Sequence, residues 1–139
     1  MKIKFTRLDD AYHMQAVNEI GNTVETDGSP DIGGGNKAFR PMQLMLVGLG
    51  SCSAIDVIYI LRKQRQKLVD IQLTVDAERE KDKHPSLFTD IHLHFRLVGT
   101  LDDNKVKRAV DLSMEKLCSA ARIMEKTAQI TWDYEIVSG

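Results

Sequence analysis

Two cysteines, Cys52 and Cys118, are the side chains in this sequence best able to do covalent chemistry. A thiolate is a nucleophile and a metal ligand, so the setting of each thiol decides what it can do. Cys52 follows Gly48 and Gly50 in the run GLGSCSAIDV, where small residues let another backbone come close. Cys118 falls at an expected helix break, and free N–H groups at a helix start can lower a thiol pKa. A free cysteine also serves as a small buried hydrophobe, and a structural disulfide is a further alternative. Four ligands for a metal can be assembled on paper from Cys52, Cys118, His92 and His94. The chain has neither C-x-x-C nor H-x-x-x-H spacing, however, and the two histidines alternate onto the polar face of a strand. Gly33, Gly34 and Gly35 do not form G-x-G-x-x-G and read as a flexible lid. No Ser-His-Asp spacing stands out, and no cofactor or metal site is expected.

These residues need elements to hold them. Alternation predicts short strands at 2–8 and 11–17, with a third at 20–26. A loop, DGSPDIGGGNKAFR, follows from Asp27 to Arg40. Pro41 suits the first turn of a helix reaching about Gln66, where Arg62, Lys63, Arg65 and Lys67 complement the C-terminal dipole. Val69, Ile71, Leu73, Val75 and Ala77 then alternate with polar residues. Ile91, Leu93, Phe95 and Leu97 do the same after the polar turn KDKHPS, which makes a long hairpin with one wet face. Asp102 or Asp103 caps the next helix, whose stripe is Val106, Val110 and Leu117 with Ala109 and Met114 beside it. A break near Cys118 and Ser119 opens a short helix through Met124. Ile130, Trp132, Tyr134 and Ile136 close the chain as a strand.

Composition bounds the rest. Acids and bases nearly cancel, 20 against 19, so the basic footprint of a nucleic-acid binder is missing. The start, MKIKFTRLDD, has no apolar run behind its charges, which argues against a signal peptide and for the cytoplasm. Residues 1–139 read as a single domain, without repeat or linker. From Pro41 to Leu61 the only charge is Asp56, which raises the question of a membrane span. Gln43, Gly48, Gly50, Ser51 and Ser53 argue against it, as do amphipathic strands that need a cover. Apolar residues on every side of this helix, from Met42 to Leu61, point instead to burial all round. A chain of this size can hardly surround it alone, so a second copy is expected, with this helix at the centre of an obligate homodimer.

The segment RPMQLMLVGLGSCSAIDV resembles the central-helix motif of the OsmC/Ohr family, the osmotically inducible protein C and organic hydroperoxide resistance proteins. In that motif a proline opens the helix and a cysteine follows, here Pro41 and Cys52. The segment MEKLCSAARIMEKTAQITWDYEI resembles the second motif, with Cys118. The order of elements matches along nearly the whole chain. The resemblance implies an α+β fold, an intertwined homodimer with antiparallel sheets packed around central cysteine-bearing helices. It implies that Cys52 attacks an organic hydroperoxide, that Cys118 resolves the sulfenic acid to a disulfide, and that an external dithiol restores both thiols. Phe39, Arg40, Met42, Gln43 and Met45 are then expected to line the substrate site, and the apolar ones suit an alkyl peroxide.

The sequence departs from that family at one point. Many members carry an acid one or two places after the proline, paired with an arginine that supports the thiolate. Here Met42 and Gln43 occupy those places, with Arg7 and Arg40 as candidate cations. A non-catalytic small-molecule-binding or redox-sensing dimer is therefore the alternative to a thiol peroxidase, and an assembly protein with inert cysteines is a third reading.

Overall fold

A computed structural model describes all residues from Met1 to Gly139. The chain divides into two compact units, Met1–Val47 and Gly48–Gly139.

In the first unit, strands β1 (Lys4–Arg7), β2 (Met14–Val17) and β3 (Thr23–Thr26) form an antiparallel sheet in that order. The strands are shorter than the alternation predicts because polar residues bind the turns. Asp9 Oδ1 accepts from the N–H groups of Ala11 and His13 at 2.9 and 3.1 Å. Asn18 Oδ1 accepts from Ile20 and Asn22 at 3.2 and 2.9 Å. The glycine loop differs from the lid expected of it. It has an anchor, the buried Asp27, whose carboxylate accepts from the backbone N–H groups of Gly28 at 2.7 Å and Lys37 at 2.9 Å. A short 3-10 turn, Pro30–Ile32, lies within it.

Helix α1 runs Pro41–Lys63, a little shorter than expected. Its start carries half of a capping box: Gln43 Oε1 accepts from the Arg40 N–H at 3.0 Å. Its end is a Schellman motif, with Gln66 N–H bonded to the Leu61 carbonyl and Arg65 N–H to that of Arg62. Arg65 takes the left-handed conformation (φ 59°) that glycine usually fills there.

The second unit holds the larger sheet, with strand order β4 (Asp70–Arg79), β5 (Phe88–Val98), β6 (Gln129–Val137). β4 and β5 are the expected antiparallel hairpin. β6 pairs parallel to β5, so this sheet is mixed and not purely antiparallel as expected. The reason is the connection: the helical segment between β5 and β6 is long enough to carry the chain back to the starting edge. Ile91, Leu93, Phe95 and Leu97 of β5 are buried, while His92, His94 and Arg96 look outward.

Helix α2 (Asp103–Leu112) is capped by Asp102, whose side chain accepts from Lys105 N–H at 3.0 Å. Trp132 Nε1 donates to Asp111 at 2.9 Å and the Tyr134 hydroxyl to Asp103 at 2.8 Å, which tie α2 to β6. A π-turn, Ser113–Leu117, follows directly and leads into α3 (Ser119–Met124). The wider turn shifts the helical register. Val106, Ala109, Val110 and Met114 stay buried, but Leu117, expected on the same stripe, turns outward.

Within the second unit one stripe of α1 is fully buried: Leu49, Ser53, Val57 and Leu61, four residues apart. A methyl group on Gly50 would stand 3.3 Å from both Leu73 Cδ2 and Val75 Cγ2, so the glycine sets how closely α1 meets the sheet. Nothing of the chain lies within 4 Å of such a group at Gly48. Ile55 and Tyr59 are 65% and 56% exposed, so one chain covers only part of this apolar helix. By length and composition α1 would also cross a membrane, the same ambiguity the sequence presents.

Candidate functional site

α1 places Cys52 and Asp56 one helical turn apart on the same face. The π-turn and α3 place Cys118 opposite them. The two sulfurs and a carboxylate oxygen of Asp56 lie within 4.8 Å of one another. Both cysteines are free thiols, Cys52 partly exposed and Cys118 fully buried.

Each member is held by its backbone. Cys118 is the N-cap of α3: its N–H bonds the Ser113 carbonyl at 2.8 Å, and its sulfur accepts from Ala121 N–H at 3.4 Å. Ser113 is buried, and its hydroxyl donates to Asp56 Oδ2 at 3.0 Å. Ser53, buried beside Cys52 in the chain, returns its hydroxyl to the Leu49 and Gly50 carbonyls at 3.0 and 3.1 Å. Every buried hydroxyl here has an acceptor, which fixes the carboxylate and the helix backbone around the thiols.

The electrostatics run opposite to the expectation for Cys118. The Ala121 N–H does favour the thiolate, but burial outweighs it and pushes the thiol up to about 11. The neighbouring Cys52 and Asp56 act in the same upward direction. A helix as short as α3 has too small a dipole to reverse this.

Other residues singled out from the sequence have local partners of their own. Arg7 donates to the carbonyls of Ala11 at 2.9 Å and of Asp10, so its guanidinium closes its own hairpin. Gln43 spends its side-chain oxygen on the α1 cap. Phe39 and Met45 are exposed, at 53% and 45%, and Phe39 forms a bridge with Thr26. Arg40 and Met42 flank the capped start of α1. His92 and His94 do not join the cysteines. His94 contacts Asp133 at 2.7 Å and Glu135 at 3.2 Å, and His92 contacts Thr131 at 2.7 Å, all on the outer face of the sheet. The donors that could share a soft cation are instead Cys52, Asp56 and Cys118, two sulfurs and one oxygen. Asp56 and Ser113 are the members that the sequence motifs do not single out. The available signal was Asp56 itself, the lone charge in an apolar helix, four residues after Cys52.

Residues 34–133 match the family model described as OsmC-like protein. The chain belongs to this family. Among its relatives, Protein YhfA of Escherichia coli (strain K12) is 46% identical over 119 residues, which cover 85% of each protein. A hypothetical protein from Aquifex aeolicus VF5 has the same fold, with a TM-score of 0.79 at 29% identity over 97% of this chain and 96% of that one. The organic hydroperoxide resistance protein OhrB of Bacillus subtilis shares the fold at 15% identity, with a TM-score of 0.68 over 97% and 98% of the two chains. Family membership accounts for the paired cysteine motifs, both of which fall within the matched residues.

Proposed function

We propose that this OsmC-like protein reduces organic hydroperoxides through a disulfide cycle between Cys52 and Cys118. The observation that carries this reading is the approach of the two sulfurs to within 4.8 Å, with the attacking thiol the more exposed of the two. Cys52 as thiolate attacks the O–O bond, takes the terminal oxygen as a sulfenic acid and releases the alcohol. Cys118 then displaces that oxygen as water and closes the disulfide. An external dithiol restores both thiols by exchange and leaves as its own disulfide. Phe39, Arg40, Met42, Gln43 and Met45 serve the organic part of the substrate, with Gln43 acting chiefly through the cap it already forms.

The unit of function is a homodimer of one OsmC-like domain per chain, working in the cytoplasm. Gly48, Ile55 and Tyr59 support the dimer, since they leave an apolar side of α1 open to a second copy. Light scattering at micromolar concentration tests it, and a stable monomer counts against it.

Cumene hydroperoxide supplied with a dithiol tests the chemistry. Cys52→Ser abolishes peroxide consumption. Cys118→Ser gives one turnover and then over-oxidation of Cys52, and mass spectrometry of the oxidised wild type finds a Cys52–Cys118 peptide within one chain. Sulfonic acid at Cys52 as the sole wild-type product would remove the resolving role of Cys118. A redox-sensing dimer with little turnover is the second reading. It is favoured by Met42 and Gln43, which offer no charge to hold an arginine. Disulfide formation at stoichiometric peroxide without sustained consumption would identify it.

A further inference from the structure

The carboxylate at position 56 has no part in the steps above, yet it stands against both sulfurs. Three observations bear on it. It is the only charged side chain of α1 before the terminal Arg62 and Lys63. It lies within 4.8 Å of each thiol, a separation that one bridging water spans, as general acids and bases commonly use. It is held in place by the buried Ser113, which donates to Oδ2.

We infer that Asp56 is the proton-transfer residue of disulfide closure, taking the proton from Cys118 as that thiol attacks Cys52. The inference rests on the two-cysteine reading and adds a residue to it. When Cys52 carries a sulfenic acid, the Cys118 sulfur forms the S–S bond and the S–O bond breaks. The proton that Cys118 gives up passes through Asp56 to the departing hydroxyl, which leaves as water. Atoms and charge balance with no further reactant, and the carboxylate ends as it began.

The need for such a group follows from burial. Cys118 is fully buried, and burial pushes its thiol up, so little thiolate is ready to attack near pH 7. Attack by pre-formed thiolate alone would be slow. A base that removes the proton during attack recovers typically 100- to 10,000-fold. Among the groups seen to touch the cluster, no other suits the task. Cys52 is the electrophile, and Ser113 is the donor that holds Asp56. Arg122 of α3 has no lone pair to take a proton, and Glu125, just beyond α3, is paired with it at 3.0 Å.

The test separates closure from peroxide chemistry. Reduced protein is mixed with 5,5′-dithiobis(2-nitrobenzoate), and the coloured thiolate is followed in two phases. The first phase is attack by the more accessible Cys52, and the second is attack by Cys118 on the resulting mixed disulfide. Cys118→Ser lacks the second phase. In the wild type the second-phase rate is nearly flat between pH 6 and 9, as a carboxylate base requires. In Asp56→Asn it falls about 100-fold at pH 7 and climbs about tenfold per pH unit, following the thiolate fraction. Ser113→Ala, which only loosens the carboxylate, slows the second phase several-fold but keeps the flat profile. An Asp56→Asn rate that drops while remaining flat with pH marks a merely structural role and overturns the inference. So does an unchanged rate. A protein that closes its disulfide in this assay with the wild-type profile, but consumes no peroxide, fails the proposed function while the role of Asp56 in closure stands.

Discussion

Oxidation of the Cys52–Cys118 pair should stabilise the folded chain measurably. Joining residue 52 to residue 118 constrains a long loop of the unfolded chain, for which the chain-entropy relation gives roughly 4 kcal/mol. Two costs subtract from this. The sulfurs must close from a separation of up to 4.8 Å to bonding distance, and the Ala121 N–H bond to the Cys118 sulfur is weakened. Each is about 0.5–1 kcal/mol if α1 and α3 adjust by rotamer changes alone. The net is about 2–3 kcal/mol, which for a domain of this size raises Tm by roughly 10 °C. The assay is calorimetry of the fully reduced protein and of protein oxidised with one equivalent of diamide, at equal concentration. Cys118→Ser, treated the same way, is the control. An oxidised protein that melts at or below the reduced temperature would refute the reasoning, because closure would then require the backbone of α1 or α3 to distort. A rise shared by the Cys118→Ser control would refute it equally, since no intrachain bond could be the cause.

Three further outcomes follow from the structure. Asp102→Ala removes the α2 N-cap and should cost about 1 kcal/mol in denaturant unfolding, whereas Asp103→Asn, which keeps the cap, should cost less. The side-chain bonds to Asp133 and Glu135 raise the His94 pKa, so its contribution is full below about pH 6.5 and fades as pH rises through the higher folded value. The group is more than a third exposed, so His94→Gln should remove only a few tenths of a kcal/mol at pH 5.5 and almost nothing at pH 9, read from urea midpoints at the two pH values. Asp27→Ala frees the N–H groups of Gly28 and Lys37, and limited proteolysis should then cut the 28–36 loop faster than in the wild type.

Much of this fold was legible because its signals are local and strong. The alternation of Val69–Ala77 and Ile91–Leu97 gives a hairpin by itself, Asp102 is a cap by residue type, and Pro41 marks the start of α1. The parallel pairing of β6 was not legible, since alternation fixes which face a residue takes and says nothing of strand direction. Leu117 was misplaced for a related reason: a π-turn adds a residue that no 3.6-residue periodicity anticipates. Asp27 was read as the edge of a mobile loop, because its burial depends on N–H groups up to ten residues away in sequence.

The site shows the same division more sharply. The two cysteines are visible by type, and their motifs relate them. What joins them in space is the turn at Ser113, and what lies beside them is Asp56. Asp56 is half-buried, and a carboxylate even partly withdrawn from water demands a partner. Ser113 answers that demand with one hydrogen bond to one oxygen. A carboxylate can accept several, and both thiols lie within 4.8 Å of one of its oxygens. In a helix whose role was only to pack, an apolar residue at 56 would serve at less cost. The residue there is a carboxylate four places after the partly exposed thiol and within 4.8 Å of the buried one, which is where a proton must leave if Cys118 is to attack.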